Sequence, residues 1–154
     1  MPLQEKLKLS ERLMLKMSST AELLERYAAG ERKFQGAILR ESDLSKANLS
    51  KADLSAAKLR EANLYAVQLH AADLHAADLY KADLRAADLR EADLSEANLR
   101  GANLKDADLA AANLRGTNLS AADLSRTNLR GAYYDQHTKF STSFNPIHAG
   151  MRMR

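Results

Sequence analysis

The chain has 154 residues, with 23 Lys and Arg against 20 Asp and Glu for a net charge of +3, and is 45% apolar but only 5% aromatic. This suits one soluble domain, and the absence of Cys excludes a disulfide framework, a thiolate metal site and a cysteine nucleophile. Six Gly and two Pro leave no flexible linker and no phosphate-cradling glycine loop; without an apolar run of membrane-spanning length or a secretory leader, the expected location is cytoplasmic.

At the N-terminus, residues 1–18 place Leu3, Leu7, Met14 and Met17 on a helical stripe, with Lys6, Lys8, Arg12 and Lys16 elsewhere. A frayed or packed extra helix is the first reading; a basic amphipathic helix that docks on a partner or membrane surface, and disorder, stay open. Ser19 followed three residues later by Glu22 forms a capping box, and Leu23, Leu24, Tyr27 and Ala28 then fall at helical spacing before Gly30. The pattern predicts a short cap helix over about 20–29, inside an N-terminal cap of residues 19–33.

From Phe34 the chain repeats every five residues. Leucine occupies position 39 and every fifth position through 129, nineteen in succession, and Phe34 and Tyr134 extend the register. Two residues before each leucine stands a small side chain, Ala in most units, with Ser42, Val67, Thr117 and Thr127 as variants. Asp or Asn stands between the two, except at Ile38, Lys58 and Gln68.

In an α-helix a five-residue step turns successive leucines by roughly 140°, so no stripe forms and a long helix is rejected. In an unbroken strand the odd period sends alternate leucines to opposite faces. Each unit therefore contains a corner, and Asp or Asn, which bond local backbone and tolerate turn conformations, are the expected corner residues. Four corners close a square.

Tandem A-(D/N)-L-x-x resembles the signature of the pentapeptide repeat family, over Phe34 to Tyr134. The resemblance implies an all-β solenoid, a right-handed quadrilateral β-helix with twenty residues per coil, here about five coils. Phe34, Leu54, Leu74, Leu94, Leu114 and Tyr134 then form one interior ladder, Leu39, Leu59, Leu79, Leu99 and Leu119 the next, and two more run from Leu44 and Leu49. The small residue of each unit also points inward, with Val67 the one overlarge member. Residues 135–154 are expected to form a C-terminal cap segment that ends in a loose tail from Met151 to Arg154, and Tyr133 and Tyr134 at the end of the repeat are expected to join Phe140 and Phe144 of that segment in plugging the last coil. The flanking segments ELLERYAAGE and AYYDQHTKF are similar to those of cyanobacterial family members.

Stacking turns outward residues into columns. Arg40, Arg60, Tyr80 and Arg100 form one, Tyr65, Arg85 and Lys105 the next, and His70, Arg90 and Arg130 a third. They constitute a candidate strip for phosphate or an acidic partner. Against this, Arg40–Glu41, Arg60–Glu61 and Arg90–Glu91 are expected to pair within the chain, and residues 36–132 hold 13 basic and 14 acidic side chains. A candidate acidic column, Asp53, Asp73 and Asp93, ends in Asn113; like charges at coil spacing should raise some of its pKa values. The resemblance implies an imitation of DNA phosphates there, as in members that protect gyrase from fluoroquinolones. The plainer alternative is that each Asp bonds turn backbone.

Nothing in the spacing of His70, His75, His137 and His148 suggests a metal site, the serines lack a paired base, and no pocket is expected in a leucine-filled interior. The chain is expected to be a non-catalytic scaffold without cofactor or small-molecule substrate, whose faces engage another macromolecule, first of all a protein. The alternatives are a DNA mimic that binds gyrase and a binder of polyanions or anionic surfaces. It is expected to be a monomer, or a homodimer through its C-terminal end as in gyrase-directed relatives.

Overall fold

The computed structural model describes residues 19–154. The readings of residues 1–18 lie outside the described residues.

From Lys33 onward the chain is a β-solenoid in which residue i bridges residue i+20 in parallel. One column of bridges runs Lys33, Asp53, Asp73, Asp93, Asn113, Tyr133, and a second starts Ile38, Lys58, Asp78. Each coil holds four short segments joined by four turns.

The unit Asp53 to Ala57 shows why five residues suffice. The Asp53 amide donates to Arg32 O of the preceding coil at 2.7 Å, and that of Leu54 to Asp73 O of the following coil at 2.7 Å. The Ser55 amide donates to Asp53 Oδ1 at 3.0 Å, Ala56 to His75 O at 2.8 Å, and Ala57 closes the turn on Leu54 O at 3.0 Å. All five amides are satisfied, as burial of the backbone requires.

The corner lies at Ser55–Ala56, after the leucine, which corrects the expectation that Asp or Asn would form it. Asp53 sits on the bridged segment and caps the turn from there with its side chain. The second corner residue takes a left-handed conformation, Ala56 at φ 54°, as a type II turn demands. Sixteen non-glycine residues do so, at about 1–2 kcal/mol each relative to right-handed backbone. The compensation is directional: this conformation aims the amide along the solenoid axis at the next coil.

The leucines from Leu39 to Leu119 and Phe34 are buried. Val67 is buried as well, so the interior accepts the larger side chain. Thr117 and Thr127 stand in small-residue positions because their hydroxyls donate inward, to Leu94 O and Leu104 O, each at 2.8 Å.

Both ends are covered. Helix α1 (Thr20–Ala28) starts at Ser19, whose hydroxyl accepts from the Glu22 amide at 3.5 Å, and it sinks Leu23 into the core. The Tyr27 hydroxyl ties it to Ser50 O at 2.9 Å, and the Arg26 guanidinium lies 5.5 Å from the Phe34 ring centre. At the other end Phe140 meets Tyr134 edge-on at 5.8 Å and stacks on Phe144 at 5.0 Å. Tyr134 is only half-buried, and Tyr133 lies outside this cluster, under the Arg154 guanidinium at 4.2 Å.

The tail from Met151 is not loose. Strand β1 (Tyr133–Tyr134) pairs in parallel with β2 (Arg152–Met153), Arg152 N donating to Ala132 O at 2.8 Å and Arg154 N to Tyr134 O at 2.9 Å. Met151 is buried. The pairing escapes the five-residue pattern because the chain leaves phase after Tyr134: Asn118 bridges Lys139, one residue beyond the regular offset.

Candidate functional site

The side chains two apart on a short segment share a face while the leucine between them points inward, and this decides the ion pairs. Arg85 is bidentate on Asp83, at 2.8 and 2.7 Å, and Arg90 on Asp88 at the same distances. Arg60 approaches Asp78 at 3.9 Å, across coils, and Arg126 reaches Asp106 at 2.7 Å. The expected pairs Arg40–Glu41, Arg60–Glu61 and Arg90–Glu91 do not form among the described residues, because each glutamate occupies the left-handed corner position and leaves the segment in another direction.

The hydrogen bonds from Arg85 and Arg90 hold the Asp83 and Asp88 carboxyls below the usual carboxylate range, against the effect of partial burial. Arg126 does the same for Asp106.

These pairs divide the candidate cationic strip. In the column Tyr65, Arg85, Lys105, the Arg85 charge is committed to Asp83 and its guanidinium lies 5.5 Å from the Tyr65 ring centre. In the column Arg40, Arg60, Tyr80, Arg100, the Arg60 guanidinium covers the Tyr80 ring at 4.3 Å, and Lys81 Nζ lies 5.4 Å from the same ring. Among the described residues Arg40 and Arg100 have no carboxylate within ion-pair distance.

The acidic column is assembled as a stack, Asp53 bridging Asp73 and Asp73 bridging Asp93. Each carboxylate is engaged with its own turn. Asp53 accepts from the amide and hydroxyl of Ser55, Asp73 from the His75 amide, and Asp93 from the amide and hydroxyl of Ser95 and from Asn113 Nδ2 at 3.2 Å. Burial alone would raise the Asp53 pKa, but the Ser55 and Gln35 hydrogen bonds and the Lys33 charge outweigh it and the pKa is lowered. At Asp53 this reverses the upward shift expected from like-charge stacking.

Sixteen units carry this turn cap, a side-chain oxygen of Asp or Asn accepting the amide two residues on. Ile38, Lys58 and Gln68 stand in that position without supplying it, and among the described residues the amides of Arg40, Arg60 and His70 have no acceptor. Ile38 and Lys58 are bridged to each other. They form, with Arg40 and Arg60, a patch in which the repeat's usual acid or amide is missing from two successive coils. The sequence signal was the broken consensus; only stacking shows that two of the three exceptions are neighbours.

The expectation of no pocket needs one correction. Where the chain leaves phase, Asp135 and His137 overhang Ser95, Glu96, Arg115 and Gly116 to form an open groove of about 460 Å³. His75 Nδ1 lies 3.0 Å from Ser95 Oγ beside it. Among the described residues no cluster of His, Asp and Glu could hold a metal ion.

The profile of pentapeptide repeats matches residues 33–64, 68–106 and 102–133. The chain belongs to the pentapeptide repeat family. Among solved structures it is similar to alr5209, a pentapeptide repeat protein from Nostoc PCC 7120, with 33% identity, a TM-score of 0.57, and coverage of 88% of this chain and 96% of that one. It is also similar to AT2G44920, a pentapeptide repeat protein from the Arabidopsis thaliana thylakoid lumen, at 31% identity and TM-score 0.50, covering 71% of this chain and 70% of that one. QnrB1, a plasmid-mediated fluoroquinolone resistance protein, aligns at 16% identity and TM-score 0.44 over 79% of each chain, too remote to carry an argument about activity. No curated protein sequence matches.

Proposed function

We infer that this chain is a non-catalytic scaffold for protein–protein interaction, a right-handed quadrilateral β-helix of about five coils whose outward columns present side chains to a partner. The observation that carries this is the commitment of the backbone. In the capped units between Asp53 and Ala122 every amide is bonded within its turn or to a neighbouring coil, and the interior is filled by leucine. Recognition then falls to the outer columns, and rigid rows lose little conformational entropy on binding. The family supports the same role.

Affinity capture from cells that produce the protein tests it, using wild type and variants with charges reversed one column at a time. Loss of a retained partner on altering one column and not the others is expected. Equal retention by all variants, or no retained protein at all, would sink the scaffold role.

The column Asp53, Asp73, Asp93 favours one competing reading, a DNA mimic that binds gyrase. It is the weaker, because those carboxylates serve their own turns and the whole chain is net positive, where competition with DNA calls for a negative exterior. Unchanged gyrase supercoiling in the presence of the protein is expected.

A further inference from the structure

The N-terminal half of the second column departs from its repeat in a concerted way. Ile38 is 55% exposed, a large aliphatic side chain where the unit calls for Asp or Asn. Lys58 replaces the same residue one coil on, directly bridged to it. Each replacement forgoes a turn hydrogen bond that sixteen other units make. Breaking a local rule twice in one place, at a cost to the turn, is what a binding surface does and a solvated face does not need.

The substitutions also change the electrostatics. Removing the acid or amide leaves Arg40 and Lys58 without a carboxylate within ion-pair reach among the described residues, and Arg60 with only the 3.9 Å contact to Asp78. Three cations and an exposed isoleucine thus lie on two adjacent coils, about 4.8 Å apart.

We propose that the patch of Ile38, Arg40, Lys58, Arg60 and Tyr80 docks an acidic segment of a partner protein, carboxylates meeting Arg40, Lys58 and Arg60 and an apolar side chain packing on Ile38. This inference rests on the scaffold role proposed above. Charge complementarity selects an acidic partner. The aromatic ring selects against nucleic acid: Tyr80 is covered by Arg60 at 4.3 Å and flanked by Lys81, so its face is not open for a base to stack, and Ile38 offers no substitute. Residues 1–18 are not the occupant, because Lys6, Lys8, Arg12 and Lys16 outnumber Glu5 and Glu11 and would repel the patch.

The test uses a fluorescein-labelled glutamate peptide with a central leucine, a leucine-free glutamate peptide, and a DNA duplex of matched charge. The full chain is expected to bind the leucine-containing peptide most tightly, with affinity falling as salt rises. The double variant Ile38→Asp with Lys58→Asp, which restores the repeat and both turn caps, is expected to keep or raise its melting temperature while binding falls about tenfold or more. Arg40→Gln with Arg60→Gln should weaken binding with the cap positions untouched, whereas Arg130→Glu, on another column, should not. Absence of peptide binding to wild type, or unchanged binding by the double Asp variant, overturns the proposal. DNA that displaces the peptide more effectively than unlabelled peptide does would reassign the patch to nucleic acid. The column-by-column capture above does not depend on this peptide, so a failure here leaves the scaffold role to stand or fall by that experiment.

Discussion

The column Asp53, Asp73, Asp93 and the column Ile38, Lys58, Asp78 share one backbone: parallel bridges to the next coil, a leucine behind each, the same left-handed corner. They differ in what stands outside. In the first, every side chain is turned back on its own turn, and three carboxylates that look like a negative surface are largely structural. In the second, Ile38 and Lys58 abandon that service, which leaves an exposed aliphatic side chain and, among the described residues, a free lysine charge on the outer face. The contrast teaches that a residue's place in a repeat decides its occupation before its charge does. An acid in the cap position holds the coil, and a lysine or isoleucine there is spare.

The shared backbone can be broken from inside. Leu84→Ala, fully buried at mid-rod, should cost roughly 2–5 kcal/mol in denaturant unfolding, while both columns lose order together. Outside, the columns should respond in opposite senses. Asp93→Ala removes the acceptor for Ser95 and Asn113 and should cost about 1–2 kcal/mol, whereas Ile38→Asp should add up to about 1 kcal/mol. Equal effects at the two sites would erase the distinction.

Acid sharpens it further. The folded-state pKa values of Asp53, Asp83 and Asp88 are lowered, so the stability they contribute is fully present above the unfolded carboxylate value of about 4. It is lost as pH falls through their lower folded values. The melting temperature should hold level from neutral pH to about 5 and then fall, less steeply in Asp83→Asn. The smallest effect is expected at the corners: Ala76→Gly, at φ 55°, relieves left-handed strain but loosens the unfolded chain, and should move stability by no more than about 1 kcal/mol.

Much of this was legible in the residues. Nineteen leucines in phase exclude helix and flat strand alike, and the ladder Phe34 to Leu114 follows once twenty residues make a coil. The location of the corner was not legible. Asp and Asn are turn formers whether they sit in the turn or cap it from beside, and composition alone does not separate the two. Nor were the partners of the arginines: Arg90 chooses Asp88, two back, over the adjacent Glu91, and Arg85 takes Asp83 in the same way, because alternate side chains share a face, a fact of pleat and not of proximity along the chain.

The sequence by itself determined the period, the identity of the inward residues and the family, because a five-residue repeat admits few ways to bury its leucine. Tertiary structure alone decided that Ile38 lies against Lys58, that Met151 to Arg154 return to pair beside Tyr133–Tyr134, and which cations are left unpaired. Those are relations between residues twenty or so apart along the chain, and they come into being only when one coil is laid on the next.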